Sequence, residues 1–188
     1  MSEPRNKSTM FFRILTGKAI PVALYGQLRR PLKRIFIVTP FLEDYEFLGS
    51  SPLSKFLSKH VSEGVGITIL TMPPEGTNGT TRSFTRKYQL LNQLMRQGID
   101  VRLNAKLHAK VFLFDESEIT RATILGSANL TTAAMNERLE IALLTYNREL
   151  FGDVLSIVYK FCNDLSTKTF MKWKLENAVR IRSVVGGE

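Results

Sequence analysis

His108 and Lys110 stand two residues apart in the stretch Leu107-His108-Ala109-Lys110-Val111-Phe112-Leu113-Phe114-Asp115. An imidazole is a nucleophile and base near neutral pH, and an ammonium stabilises negative oxygen. The residues that follow favour a strand, predicted over 108–114, and side chains at i and i+2 of a strand share a face. Imidazole and ammonium are therefore expected to project into one site. Asp115 lies an odd number of residues from both, so in an unbroken strand it points the other way and serves a structural role.

A second polar cluster follows at Gly126-Ser127-Ala128-Asn129. Gly126 permits close backbone approach, and Ser127 and Asn129, again two apart, both donate hydrogen bonds. Glu140 sits among Leu139, Ile141, Ala142, Leu143 and Leu144. A carboxylate in such a context needs a partner if it is buried, and a histidine ring nitrogen is one such partner. Each piece alone has a plain structural explanation. A lone histidine beside an apolar strand is more often structural than catalytic, and Gly-Ser-x-Asn is a common turn. His60 receives the structural reading, as a surface or satisfied helix histidine.

The joint pattern is more specific. His-x-Lys, four residues, Asp, then Gly-Ser-x-Asn, then Glu resembles the HKD signature of the phospholipase D superfamily. His108, Lys110, Asp115, Gly126, Ser127, Asn129 and Glu140 match it by type and order. The spacer between Asp115 and Gly126 is longer than the commonest form, which a longer hairpin over Glu116–Arg121 absorbs. Thr39-Pro40-Phe41 also looks like the end of the family's opening strand.

The resemblance implies a single-motif, nuclease-like member that works through a covalent phosphohistidine. His108 is then the nucleophile, Lys110 and Asn129 bind the non-bridging oxygens, and Ser127 supports that pocket. Glu140 holds the far nitrogen of the His108 ring, while Asp115 and Gly126 are structural. A second histidine must protonate the leaving oxygen. Only one motif is present, so the resemblance implies a homodimer with the site built across its two-fold axis. No metal and no cofactor is implied: one Cys and two distant His cannot make a zinc site, and no acidic cluster suggests a two-metal nuclease.

Strands and helices must position these groups. The run Ile35–Thr39, stopped by Pro40, reads as a buried strand. Ser50-Ser51-Pro52 starts a helix that runs through Leu53, Phe56, Leu57 and Val61 to Gly64. Further strands are predicted at 65–71, 99–103, 121–125 and 138–145, with helices at 83–97 and 148–165. A turn-rich loop spans 72–79, Gly98 ends the second helix, and the tail to 188 stays open. This order predicts one α/β domain over 1–188, a mixed, strand-rich central sheet flanked by helices on both faces. Residues 1–9 are expected to be disordered and 10–34 to form a basic helical segment.

The formal net charge is +9, and it is clustered. Residues 1–34 carry +7 and residues 82–110 carry +6, whereas 35–81 and 111–149 are each −3 and 150–188 is +2. Such blocks concentrate polyanions, so nucleic acid is the expected partner, DNA ahead of RNA. Arg82, Arg86, Lys87 and Lys106 are the candidate backbone contacts, because their block abuts the motif. Cys162, inside the apolar stretch Val154–Leu165, reads as a buried inert thiol. No segment suits stable membrane insertion, and a cytoplasmic protein is expected. Two other readings stand beside the endonuclease: a phospholipid hydrolase or transphosphatidylase, for which the basic and apolar stretch Met10–Tyr25 could lie on a membrane, and an inactive nucleic-acid-binding relative. No sequence-reading module is visible, so other subunits of a restriction, repair or defence system are possible partners.

Overall fold

A computed structural model describes residues 12–46, 52–74, 81–115 and 121–185. Short apolar runs, buried on both faces at the centre of the sheet and on one face towards its edges, build eight strands: β1 (Phe12–Thr16), β2 (Arg34–Val38), β3 (Gly66–Thr71), β4 (Asp100–Leu103), β5 (Val111–Asp115), β6 (Arg121–Gly126), β7 (Ile141–Thr145) and β8 (Lys168–Thr169). They form one mixed sheet in the order β1-β7-β6-β5-β2-β3-β4-β8. β2, β3 and β4 run parallel, and every other neighbouring pair is antiparallel.

The helices are α1 (Ala19–Leu28), α2 (Leu53–Ser62), α3 (Thr81–Arg96), α4 (Thr132–Asn136), α5 (Arg148–Cys162), α6 (Phe170–Glu176) and α7 (Ala178–Val185). Parallel strands need crossovers, and α2 and α3 supply them. On one face of the sheet, Ile35, Ile37, Ile67, Ile69, Phe112 and Phe114 join a core with Leu24 of α1, Leu57 of α2, Leu91 of α3, Trp173 of α6 and Ile181 of α7. On the other, Phe36, Val38, Leu70, Val111 and Leu113 pack with Phe151, Val154 and Val158 of α5. Helices thus cover both faces, as the sequence pattern predicts.

Several boundaries differ from those expected. The basic segment 10–34 is not wholly helical: Phe12–Thr16 is an edge strand on β7, with Leu15 buried and Phe12 and Ile14 exposed. Gly17, at φ +49°, turns the chain into α1, and Pro21 lies in the first turn, where a missing N–H costs nothing. β5 begins at Val111 rather than 108, and β7 at Ile141 rather than 138. The closing helix stops at Cys162, and the tail folds into β8, α6 and α7, with Phe170 and Trp173 filling the core above α3. Residues 1–9, 75–79 of the turn-rich loop and 116–120 of the expected hairpin lie outside the described residues.

Candidate active site

Strand direction brings the polar clusters together. β2 ends where its antiparallel neighbour β5 begins, with Val38 opposite Val111. Val111 faces Leu125 near the end of β6, and Gly126 faces Ala142 near the start of β7. The segments Thr39–Phe41, His108–Lys110, Gly126–Asn129 and Glu140 therefore all leave the sheet at the same edge. Side chains far apart in sequence share one rim because the ladder register puts them there.

Each position has a local cause. His108 and Lys110 precede β5 rather than lying in it, so shared-face geometry is not what orients them. His108 is exposed, and among the described residues its ring makes no hydrogen bond. The Lys110 ammonium folds back on the chain and donates to the His108 carbonyl at 2.9 Å, which leaves two of its three N–H donors. The Lys110 carbonyl accepts from the Gly126 amide at 3.3 Å, which extends the β5–β6 ladder to the rim.

Gly126 has a steric reason. A Cβ there would lie 2.7 Å from the Ala142 Cβ and closer still to the Ile141 carbonyl oxygen. The close approach of β6 and β7 needs its hydrogen. Next to it, the Ser127 amide donates to the Ile141 carbonyl at 3.0 Å and the Ile141 amide donates to Ser127 Oγ at 3.2 Å. The Ser127 hydroxyl donates to the Glu140 carboxylate. Glu140, half-buried, is thus held by Ser127 rather than by the His108 ring. Asn129 Oδ1 lies 3.4 Å from the hydroxyl of the fully buried Thr39, which also donates to Phe41 O at 3.0 Å and accepts from the Leu130 amide at 3.3 Å.

Asp115 is buried at the far end of β5, on the α5 side of the sheet with Val111 and Leu113. Its carboxylate accepts from Arg34 at 2.6 and 3.1 Å and from Arg121 at 3.2 Å. The hydrogen bond to Asp115 raises the Arg34 pKa above its ordinary value. His60 is buried, and its Nε2 lies 2.7 Å from the Leu28 carbonyl. It does not reach the rim.

A groove of about 960 Å³ opens beside Asn129. It is lined by Arg82, Arg86, Lys87 and Gln93 of α3, by Glu43 and Asp44 after β2, and by Thr131 and Arg138 on either side of α4. Glu43 accepts from the Thr132 amide at 2.8 Å, and Asp44 accepts from Ser54 N and Oγ at 2.8 and 2.7 Å. Both carboxylates are therefore occupied, while Arg82, Arg86 and Arg138 have no ion-pair partner among the described residues. Lys106 is exposed but lies outside the groove. Lys87 is a correction to the surface cation expected: it is 5% exposed, and its Nζ donates to Pro40 O at 3.0 Å. Burial lowers its pKa to about 7.

Sequence reasoning missed Thr39, Arg138 and the burial of Lys87. The last was legible in principle. Phe84, Lys87, Leu91 and Leu94 follow the spacing of a buried helical stripe, and Lys87 sits within it. Among the described residues, no three His, Cys, Asp or Glu side chains gather as metal ligands, and no helix is long and apolar enough to cross a membrane.

A mixed sheet clad on both faces, with its polar residues at one rim, defines an α/β protein of the phospholipase D type. The chain belongs to the phospholipase D superfamily, whose shared chemistry is at phosphodiester bonds: the family model described as cardiolipin synthase, PLD-like domain, matches residues 24–161. The fold is similar to Nuc, a phospholipase D family member from Salmonella typhimurium, at TM-score 0.66 and 17% identity, covering 85% of this chain and 99% of that one. NucT from Helicobacter pylori aligns at TM-score 0.61 and 16% identity over 85% and 100% of the two chains. Phosphatidylserine synthase from Haemophilus influenzae aligns at TM-score 0.66 and 15% identity, covering 86% of this chain but 40% of that one. No curated protein sequence matches the chain.

Proposed function

We propose that this protein is a metal-independent endonuclease that hydrolyses nucleic-acid phosphodiester bonds through a phosphohistidine on His108. The observation that carries this reading is the basic groove running from Asn129, where Arg82, Arg86 and Arg138 have no ion-pair partner among the described residues while its carboxylates are engaged. A backbone threaded there meets cations that need a polyanion. The likeness to Nuc and NucT along nearly the whole length of each supports it.

In the proposed reaction a His108 ring nitrogen attacks phosphorus, a P–N bond forms and a P–O bond breaks. Lys110 and Asn129 donate to the non-bridging oxygens as their charge grows. The leaving oxygen takes its proton from the His108 of a second copy across a two-fold axis. Water, giving its proton back to that histidine, then cleaves the P–N bond and frees the product phosphate. Ser127 and Glu140 brace the rim.

Labelled single- and double-stranded DNA and RNA incubated in excess EDTA test the reading. Cleavage is expected to persist in the chelator, and both His108→Ala and Lys110→Ala to lose at least about a hundredfold of it. Chelator-sensitive cleavage, or full activity without His108, would sink the proposal. A shared site also predicts a mixing result. A mixture of dimers randomly reassembled from equal wild-type and His108→Ala protein should keep about a quarter of the activity, not half, since each working site needs two intact copies. The phosphatidylserine synthase likeness favours a second reading, a phospholipid enzyme; release of head group from anionic liposomes, without nucleic-acid cleavage, would select it.

A further inference from the structure

Lys87 is a buried cation in a place where a hydrophobic residue of similar size would carry no desolvation cost. Among the described residues no carboxylate forms an ion pair with it. Lys87 shares the lining of the groove with Arg82 and Arg86 of its own helix, Glu43 and Asp44 after β2, and Arg138 beyond α4. Both acids are held by Thr132 and Ser54. From α6 and α7, Lys174 and Arg180 lie over the rings of Tyr88 and Phe84. Desolvation is the cause of the lowered pKa, unrelieved by any ion pair among the described residues.

What Lys87 does hold is the Pro40 carbonyl. That oxygen also accepts from Thr71 Oγ1 at 3.1 Å and the Met72 amide at 3.3 Å, so three donors converge on one backbone atom. The Lys87 ammonium also lies 5.9 Å from the centre of the Phe41 ring. The turn Thr39-Pro40-Phe41 is thereby pinned from the α3 side. On its opposite side the Thr39 hydroxyl touches Asn129 Oδ1 and the Leu130 amide.

We propose that Lys87 is a positioning residue: through Pro40 and Thr39 it fixes the Asn129 side chain that binds the phosphate oxygens. The role of Asn129 rests on the functional reading above; the mechanical tie does not. Protonated, Lys87 makes a charge-assisted bond to Pro40 O; as pH rises through about 7 it becomes a neutral, weaker donor. Its contribution is therefore present below that pH and fades above it. A merely space-filling residue would show no such dependence.

The test compares wild type with Lys87→Met, which keeps bulk without a donor, and Lys87→Gln, which keeps a donor that does not titrate. Steady-state cleavage is read as kcat and KM against pH, and the Asn129 side-chain amide is followed by ¹⁵N NMR over the same range. Lys87→Met is expected to lose about tenfold in kcat with KM within about twofold, and the ratio of wild-type to Lys87→Met kcat should fall as pH rises through about 7. Lys87→Gln should restore most of kcat, and its ratio to Lys87→Met should stay constant across that range. In the spectra, the wild-type Asn129 amide should shift across this pH range and stay fixed in both variants. Unchanged kcat in Lys87→Met, or an Asn129 amide indifferent to pH and to both variants, overturns the proposal. If Lys87→Met does not fold, Lys87→Gln decides by the same two readouts. An inactive wild type with the expected amide shifts would reject the nuclease reading while upholding the tie.

Discussion

At the scale of the residue, Asp115 and Gly126 separate structural from chemical roles within one motif. Asp115 accepts from both Arg34 and Arg121 inside the sheet, away from the rim. Asp115→Asn should lower stability by about 2–3 kcal/mol, since it leaves two arginines without their charge partner. Chemical denaturation checks this, and the residual folded fraction should keep wild-type kcat. Gly126→Ala is expected to behave differently. Its methyl would collide with the backbone of β7 and displace Ser127, which sits next in the chain. A loss of about 1–3 kcal/mol should accompany a loss of kcat in the folded protein. Equal kcat in the two proteins would show that β6 and β7 need not approach so closely.

At the scale of the element, α3 does two jobs on two faces. Phe84, Tyr88, Leu91 and Leu94 face the core, while Arg82, Arg86 and Gln93, four and seven residues apart, line the groove. Arg82→Gln with Arg86→Gln should weaken nucleic-acid binding and lower the slope of log affinity against log salt by about two. Lys106→Gln, outside the groove, should leave that slope unchanged. Fluorescence anisotropy across a salt series checks both. The helix was legible as an amphipathic pattern, and its polar face could be read as basic. That this face lines a groove was not, because the rest of the lining comes from residues 41–44 and 129–138, far away in sequence.

At the scale of the whole molecule, the buried Lys87 couples folding to protons. Its native pKa, about 7, lies below the ordinary 10.5, so above pH 7 the native state sheds a proton that the unfolded chain keeps. The unfolded state then binds more protons, and stability rises with pH. Below pH 7 both states are charged and the burial penalty is fully present. Between pH 7 and 9 the wild type should gain about 2 kcal/mol relative to Lys87→Met, measured by urea denaturation at each pH. Burial raises the Cys162 and Tyr45 pKa values, so their effects fall above this window. The sequence by itself determined the alternation of strands and helices, the motif residues and the clustering of charge. These depend on residue type and local period, and both are written along the chain. Only the tertiary structure decided that β1 is a strand, because its partner β7 lies more than a hundred residues away. It alone put the Pro40 carbonyl within reach of Lys87 and joined four distant segments at one rim, since strand order and register are set by long-range packing that no local pattern encodes.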